Sequence, residues 1–384
     1  MKKMYWKAYN FRPIIMTFMA LTSLYCLFLV ETHKHLVPQE QYALKLQAAE
    51  LSQRAMIAVK NERLRRHIKI NTHFDTAESG LIGVNQSSIT SDHGVLRSKK
   101  ISVDPNLAAL IVQWLSDLKL QKDDVVAVGM TGSFPGLDIS TLAAMQVMGL
   151  KPLLITSATS SNWGANIPTF AWLDMLHILN KKDILSAKPL AASIGANRDI
   201  GLNLEAKGLE IILSSIKKYN LTLIKESMVS DSIDRRLQLY SEASGDDDIK
   251  AYINIGGGWA SIGKHLAKPN LSKAQKDKIK STSLKTGPNI DLPVTLASTN
   301  SVATRFLKLG IPVINVKEIN KIAADYNLSP WTKNMSIGVG PLFFHAKYNI
   351  WLAFFGLLVI VAVCYWEMWI QRRKKTVEAS TQLI

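Results

Sequence analysis

Two long uncharged runs, one near each end, restrict this chain more than anything between them. Pro13 to Val30 (PIIMTFMALTSLYCLFLV) carries no charge over 18 positions. Ile350 to Trp366 (IWLAFFGLLVIVAVCYW) forms a second such run, continued by Met368 to Ile370 past a single Glu367. About 20 apolar residues in a helix cross the hydrocarbon layer of a bilayer, so each run reads as a transmembrane helix. Lys2, Lys3, Lys7 and Arg12 precede the first, and Arg372, Arg373, Lys374 and Lys375 follow the second. Basic residues on short tails stay cytoplasmic, so both termini are expected there, and the main domain on the periplasmic or extracellular face of the cell (inner) membrane. A cleaved leader is the competing reading of the first run. It is disfavoured because no small-x-small site follows; the run exits into Glu31-Thr32-His33-Lys34-His35. The expected organisation is a 1–12 cytoplasmic tail, a 13–30 span, a 31–70 membrane-proximal helix, a 71–347 extracytoplasmic domain, a 348–370 span and a 371–384 cytoplasmic tail.

Residues 31–347 hold 38 of the Lys and Arg residues and 28 of the Asp and Glu residues, an excess of +10. On the far side of a membrane that charge favours an anionic polymer or lipid headgroup as partner. Topology argues against nucleic acid. Both cysteines, Cys26 and Cys364, fall inside the apolar runs, so the exported part has no disulfide, no cysteine ligand and no cysteine nucleophile. No H-x-x-x-H or H-E-x-x-H pattern occurs, and no metal or other cofactor is expected.

Between the runs the pattern has four parts. Residues 38–66 are rich in Ala, Leu, Gln, Glu and Arg, with Leu44, Ala48, Leu51, Ala55, Ala58 and Val59 at helical spacing. Residues 71–104 are dense in Gly, Ser, Thr and Asp and read as short hairpins or ordered loops. From Asp124 onward, apolar runs of six to eight residues (VVAVGM, PLLITSA, LAASIGA, LTLIKES, AYINIGGG, IPVINV) alternate with helical stretches. That alternation predicts an α/β fold: a Rossmann-like, mostly parallel sheet with helices on both faces, flanked by the two transmembrane helices. The Lys- and Ser-rich 266–293 stretch lacks periodicity and reads as a flexible insertion.

In such a sheet, ligands meet the loops at the carboxyl ends of the strands. The first loop, Thr131-Gly132-Ser133-Phe134-Pro135-Gly136, opens a helix and suits an anion. It has neither a following Gly-Lys-Ser/Thr nor a G-x-G-x-x-G fingerprint. Asp138, Ser140 and Ser133 are alternatives for capping that helix. The second loop gathers Ser160, Ser161, Asn162 and Asn166 around Trp163, a set able to hydrogen-bond amides or carboxylates. An ordinary capped turn is the competing reading. Arg198 and Asp199 lie in the third, and Gly256, Gly257, Gly258 and Ser261 in the fifth. Asp174, on an apolar helix, needs a partner if buried, and Arg198 is the candidate. For catalysis the candidates are Ser133, Asp138, Asp174 and a histidine base, His177 or His265, although no G-x-S-x-G elbow is present.

The strings TGSFPGLDIS, SSNWGANIPTFAWLDM, IGANRDIGL, YINIGGGWASIG and LGIPVINV, with the upstream SGLIG, SSITSDHG and LRSKKISVDPNLAALIVQWL, resemble the poly-gamma-glutamate system protein family. The resemblance covers about residues 75–345 and implies a membrane-anchored accessory of poly-γ-glutamate synthesis and export. It further implies the anionic polymer and the membrane subunits of the synthase as partners, and it carries no catalytic residues with it. Two functions follow as expectations. One is a component that binds or guides the polymer, or scaffolds the synthase. The alternative is an extracytoplasmic amidohydrolase or transpeptidase acting on that polymer.

Overall fold

A computed structural model describes residues 12–263, 284–333 and 335–381, with side chains to residue 373. The chain divides into two units, one made of the two ends and one of Glu40–Phe343.

In the terminal unit, α1 (Pro13–Thr32) leads into a short strand, β1 (His35–Pro38). Near the other end, β11 (Phe344–Lys347) leads into α12 (Ile350–Thr381). β1 and β11 pair antiparallel, from His35 against Lys347 to Pro38 against Phe344. The helices run antiparallel as well. Cys364 Sγ lies 3.8 Å from Met19 Sδ, and Arg12 forks onto Glu367 with N–O distances of 2.9 and 2.6 Å. A Cβ added to Gly356 would lie 2.9 Å from Cys26 Sγ, so glycine there permits the close crossing. Pro13–Thr32 and Ile350–Arg373 are long and apolar enough to cross a membrane. Their large side chains stand exposed, among them Phe18, Leu24, Leu27, Trp351 and Phe355.

The larger unit begins with α2 (Tyr42–Arg65), so the expected 31–70 helix covers only its middle part. The apolar stripe read from the sequence is its buried face: Ala48, Leu51, Ala55, Ala58 and Val59. This helix is part of the globular core, packed on α4 (Leu107–Asp117) and α5 (Pro135–Val147). Small residues allow the approach, with Ser52 Oγ 2.9 Å from Ser140 Oγ. Arg63, at its last turn, donates to the carbonyls of Gly80 (2.9 Å), Ile82 (2.7 Å) and Lys69 (2.9 Å). That anchors the irregular 66–95 stretch, which leads into α3 (Leu96–Ser102).

The strand–helix alternation then builds one seven-stranded sheet. Its strands are β2 (Val125–Thr131), β3 (Lys151–Ser157), β6 (Pro189–Ser193), β7 (Thr222–Ile224), β8 (Ile249–Ile255), β9 (Gly287–Asn289) and β10 (Val313–Val316). The order is β7-β6-β3-β2-β8-β10-β9, parallel except for β9. A two-residue hairpin, β4 (Asn166–Ile167) with β5 (Phe170–Ala171), precedes α6 (Trp172–Lys181). The other helices are α7 (Ala206–Lys218), α8 (Val229–Ser244), α9 (Trp259–Ile262), α10 (Val302–Lys308) and α11 (Ile319–Asp325).

Both sheet faces are covered, which is why the strands read as continuous apolar runs. The neighbours Ala191 and Ala192 on β6 fall in separate clusters. Ala191 belongs with Tyr252, Ile233 and Tyr240 of α8 and Phe306 of α10; Ala192 belongs with Ile212 and Ile216 of α7. Tyr240 Oη donates to the Val128 carbonyl at 2.8 Å, and the Tyr252 and Phe306 rings stack at 5.1 Å.

The reading of 266–293 as an insertion needs correction over its described end. Leu284 is buried, and β9 extends the sheet edge with Val313 opposite Asn289. Pro288 is accommodated because an edge strand needs only one set of ladder bonds. Residues 264–283 lie outside the described residues.

Candidate functional site

The strand order reverses direction at β2. The chain proceeds outward through β3, β6 and β7, then returns to the other side of β2 with β8 and β10. A crevice forms beyond the carboxyl ends where such a reversal occurs. Here it is a cavity of about 760 Å³. Thr131, Ser133 and Phe134 line it after β2, and Ser157, Thr159 and Ser161 after β3. Gly195, Asn197 and Asp199 follow β6, Gly256, Gly257, Gly258 and Trp259 follow β8, and Asn315, Lys317 and Glu318 end β10. The loop before α3 adds Asp92, His93 and Gly94.

Several sequence candidates therefore meet. Thr131, Ser133, Ser161, Asp199, Gly256, Gly257 and Gly258 share the cavity wall. Others stand behind it. Gly132 packs its backbone against Trp172 and Thr159, where an added Cβ would lie 3.0 Å from Trp172 Cβ. Ser160 is fully buried and donates to the Ser161 carbonyl at 2.9 Å. Asn162 accepts from Gly94 N at 3.0 Å, and Asn166 ties Val84 (2.8 Å) to Thr90 (2.9 Å). These amides thus hold the 84–94 loop to the β3 loop. Ser261 lies on α9 behind the glycine run, its Oγ 3.3 Å from where a Cβ on Gly258 would stand.

Three expectations are corrected. Arg198 is exposed and does not meet Asp174. The Asp174 carboxylate instead accepts from Tyr219 Oη (2.6 Å) and Lys218 Nζ (2.9 Å), with Arg66 at 3.5 Å, and it caps α6 through Ala171 N at 3.1 Å. That set is structural and lies away from the cavity lining. His177 is exposed on α6, stacked on Tyr219 at 4.7 Å, so it is no base for Ser133. His265 lies outside the described residues. Finally, none of Asp138, Ser140 and Ser133 caps α5, whose N-cap is Phe134 without a side-chain bond. Ser133 Oγ instead accepts from Ser161 N at 3.1 Å.

The third loop is held by a buried network. Asp199 pairs with Arg236 at 2.7 Å and accepts from Ser193 Oγ (2.8 Å) and Ser232 Oγ (2.7 Å). Arg236 also donates to Ser193 Oγ at 2.8 Å. These contacts hold three non-glycine residues at positive φ: Ala196 (62°), Arg198 (53°) and Asp199 (68°). Ala196, with ψ −156°, occupies a region suited to glycine. Strain of this kind persists where surrounding contacts determine the loop, and it concentrates at functional sites.

The residue the sequence reading misses is Lys99. It lies in the last turn of α3, 1% exposed. Its Nζ donates to the Ser133 carbonyl and to Ser161 Oγ, the latter at 2.8 Å, and stands 3.8 Å from the centroid of the Phe134 ring. Burial pushes the Lys99 ammonium down to about 7, and nearby Asp138 opposes this. Asp138 is fully buried, with both carboxyl oxygens lacking a hydrogen-bond partner among the described residues. Burial pushes its acid well above the usual carboxylate range, against the pull of Lys99. Both shifts favour the neutral amine and the neutral acid. One signal existed in the sequence: Ser98, Lys99, Ile101 and Ser102 share the inward side of α3, so Lys99 follows Ile101 into the core.

Among the described residues, no group of three or more His, Cys, Asp or Glu side chains assembles as metal ligands would. The wall is instead rich in hydroxyls, amides and glycine backbone, chemistry suited to an uncharged polar group such as an amide. Its charged members are Asp92, Asp199, Glu318 and Lys317, so the chain's basic excess is not concentrated there. No protein-family model, no curated protein and no solved structure matches this chain.

Proposed function

We propose that this chain is a two-pass membrane protein whose Rossmann-like domain handles poly-γ-glutamate as the polymer leaves the cell. The observation that carries the reading is the convergence of five strand-end loops on one cavity lined by hydroxyl, amide and glycine groups. Those groups match the repeating amide of the polymer, while the excess of +10 over residues 31–347 supplies attraction for its carboxylates. Half of that excess, six lysines against Asp277, lies between residues 264 and 283. The resemblance of strings in residues 75–345 to the poly-gamma-glutamate system family is what points to this polymer, and the synthase's membrane subunits are the partners that reading implies.

The antiparallel α1–α12 pair supports a topology with both tails on one side. Arg12 and Glu367 meet at the tail end, and β1–β11 closes the other. Membrane-impermeant maleimide applied to intact cells should label Lys225→Cys and spare Lys3→Cys, both in a chain lacking Cys26 and Cys364. Labelling at position 3 refutes the orientation. The functional test uses the full chain in nanodiscs, titrated calorimetrically with γ-linked and α-linked glutamate oligomers. Expected are preference for the γ-linked oligomer and weakening with added salt. Equal affinity for both linkages, or none at low salt, refutes it.

A further inference from the structure

The contact between Lys99 and Ser161 is not needed for binding a polymer, and its geometry has a chemical use. Ser161 Oγ lines the cavity, whereas the amine 2.8 Å behind it is sealed from solvent. We propose that Ser161 is an acyl-accepting nucleophile and Lys99 its general base, forming a serine–lysine dyad that acts on amide carbonyls presented in the cavity.

The surroundings fit those roles. The second bond of Lys99, to the Ser133 carbonyl, and the Phe134 ring beside it fix the amine. Ser161 N donates to Ser133 Oγ at 3.1 Å, which fixes the backbone carrying the nucleophile. Gly94 leaves room, since a Cβ there would stand 3.2 Å from Ser161 Oγ and collide with the Asn162 carbonyl. The titratable group acting on Lys99 is Asp138 from α5, while Asp92 and His93, in the loop before α3, line the cavity that Ser161 faces. With burial favouring loss of its proton, Lys99 presents a lone pair at neutral pH.

The step balances without further components than water or an amine. Ser161 Oγ bonds to the carbonyl carbon as its proton passes to Lys99 Nζ, and the carbonyl π pair moves to oxygen. When that pair returns, the C–N bond breaks, and the Lys99 ammonium gives its proton to the departing amine. Water, or a second amine, then attacks the Ser161 ester with Lys99 again taking the proton. Water gives hydrolysis and an amine gives transfer. With γ-glutamyl amides as substrate the inference rests on the function proposed above; the dyad itself does not.

The test separates the two. Full-length protein in nanodiscs is treated with p-nitrophenyl acetate, release of p-nitrophenolate is followed, and the acetylated residue is mapped by mass spectrometry. Expected is one acetyl group on Ser161, with a rate rising through pH 7. The rate should be lost in Ser161→Ala, fall at least a hundredfold in Lys99→Met and Lys99→Arg, and be unchanged in His177→Ala. Far-UV circular dichroism checks that each variant folds, and Ser161→Ala removes a single oxygen. Acetylation on Lys99 or elsewhere, or a rate retained in Lys99→Arg, overturns the dyad. A parallel incubation with γ-linked glutamate oligomers reads chain length. Acetylated Ser161 with uncut oligomers keeps the dyad and removes the polymer as its substrate. Oligomer binding without acetylation overturns the dyad and leaves the binding function standing.

Discussion

Replacing Lys99 by Met keeps the volume of the side chain and removes its charge, and the structure fixes how the consequence must vary with pH. Burial lowers the Lys99 ammonium from its usual 10.5 to about 7. At about 1.4 kcal/mol per pH unit, the folded wild type is penalised by up to about 5 kcal/mol wherever Lys99 must be charged. Below pH 7 both folded and unfolded states hold the proton and the penalty is complete. Between 7 and 10.5 the unfolded chain keeps a proton that the folded one has released, so wild-type stability rises with pH. Lys99→Met has no such rise. Burial raises the Asp138 acid well above the usual carboxylate range in either protein, so its own dependence on pH enters both curves and largely cancels in the comparison. The two lost hydrogen bonds, about 1 kcal/mol each, move the offset and not the slope. Urea unfolding of the full chain in micelles, followed by tryptophan fluorescence at pH 7.5 and 9.5, should find wild type gaining about 3 kcal/mol on the variant. Parallel curves, or a variant that gains on wild type, refute the buried-amine account.

Three further outcomes are expected. Arg236→Leu leaves Asp199 buried against two serines, which should destabilise the domain by about 3–5 kcal/mol in the same unfolding assay. In Gly164→Ala the new Cβ would lie 2.7 Å from the carbonyl oxygens of both Gly132 and Ser133; a loss of about 1–3 kcal/mol and a roughly tenfold slower acetylation should follow, since the overpacked loop carries Ser161. Burial raises the Asp104 acid to about 7 from its usual 3.8, so wild-type stability falls as pH rises through that window. Asp104→Asn should remove roughly 3 kcal/mol of that fall, read as unfolding free energies at pH 4.5 and 7.5.

What the sequence discloses here follows from where side chains go. The central parallel strands β2 and β8 are covered on both faces, so VVAVGM and AYINIGGG stand out as apolar runs, and their glycine- and serine-rich ends mark the cavity by rule. Short or edge elements carry no such signature. β9 is a Gly-Pro-Asn triplet, and β1 includes His35 and Pro38, so neither resembles a core strand. The dyad was hidden for a different reason. Lys99 and Lys100 look like a solvated pair within LRSKKIS, and only tertiary packing decides that the first is 1% exposed. Asp138 likewise looks like a helix cap in sequence. It is enclosed because Gly136 lets α5 approach the α3 end, where a Cβ would stand 3.0 Å from Val103 Cα.

The paired ends of the chain have a thermodynamic consequence for a domain that has no disulfide. In the two-pass reading, unfolding Glu40–Phe343 does not free its ends, because α1 and α12 stay side by side in lipid. The unfolded segment is then a closed loop of about 300 residues rather than an open chain. A covalent cross-link closing such a loop would raise the free energy of the unfolded state by about 6 kcal/mol at room temperature through lost entropy, and the helix pair imposes the same restriction. On that reading the helix pair does for this domain what a cystine bridge does for a chain with cysteines placed to form one. It also means that a single proteolytic cut anywhere in the domain leaves both fragments tethered.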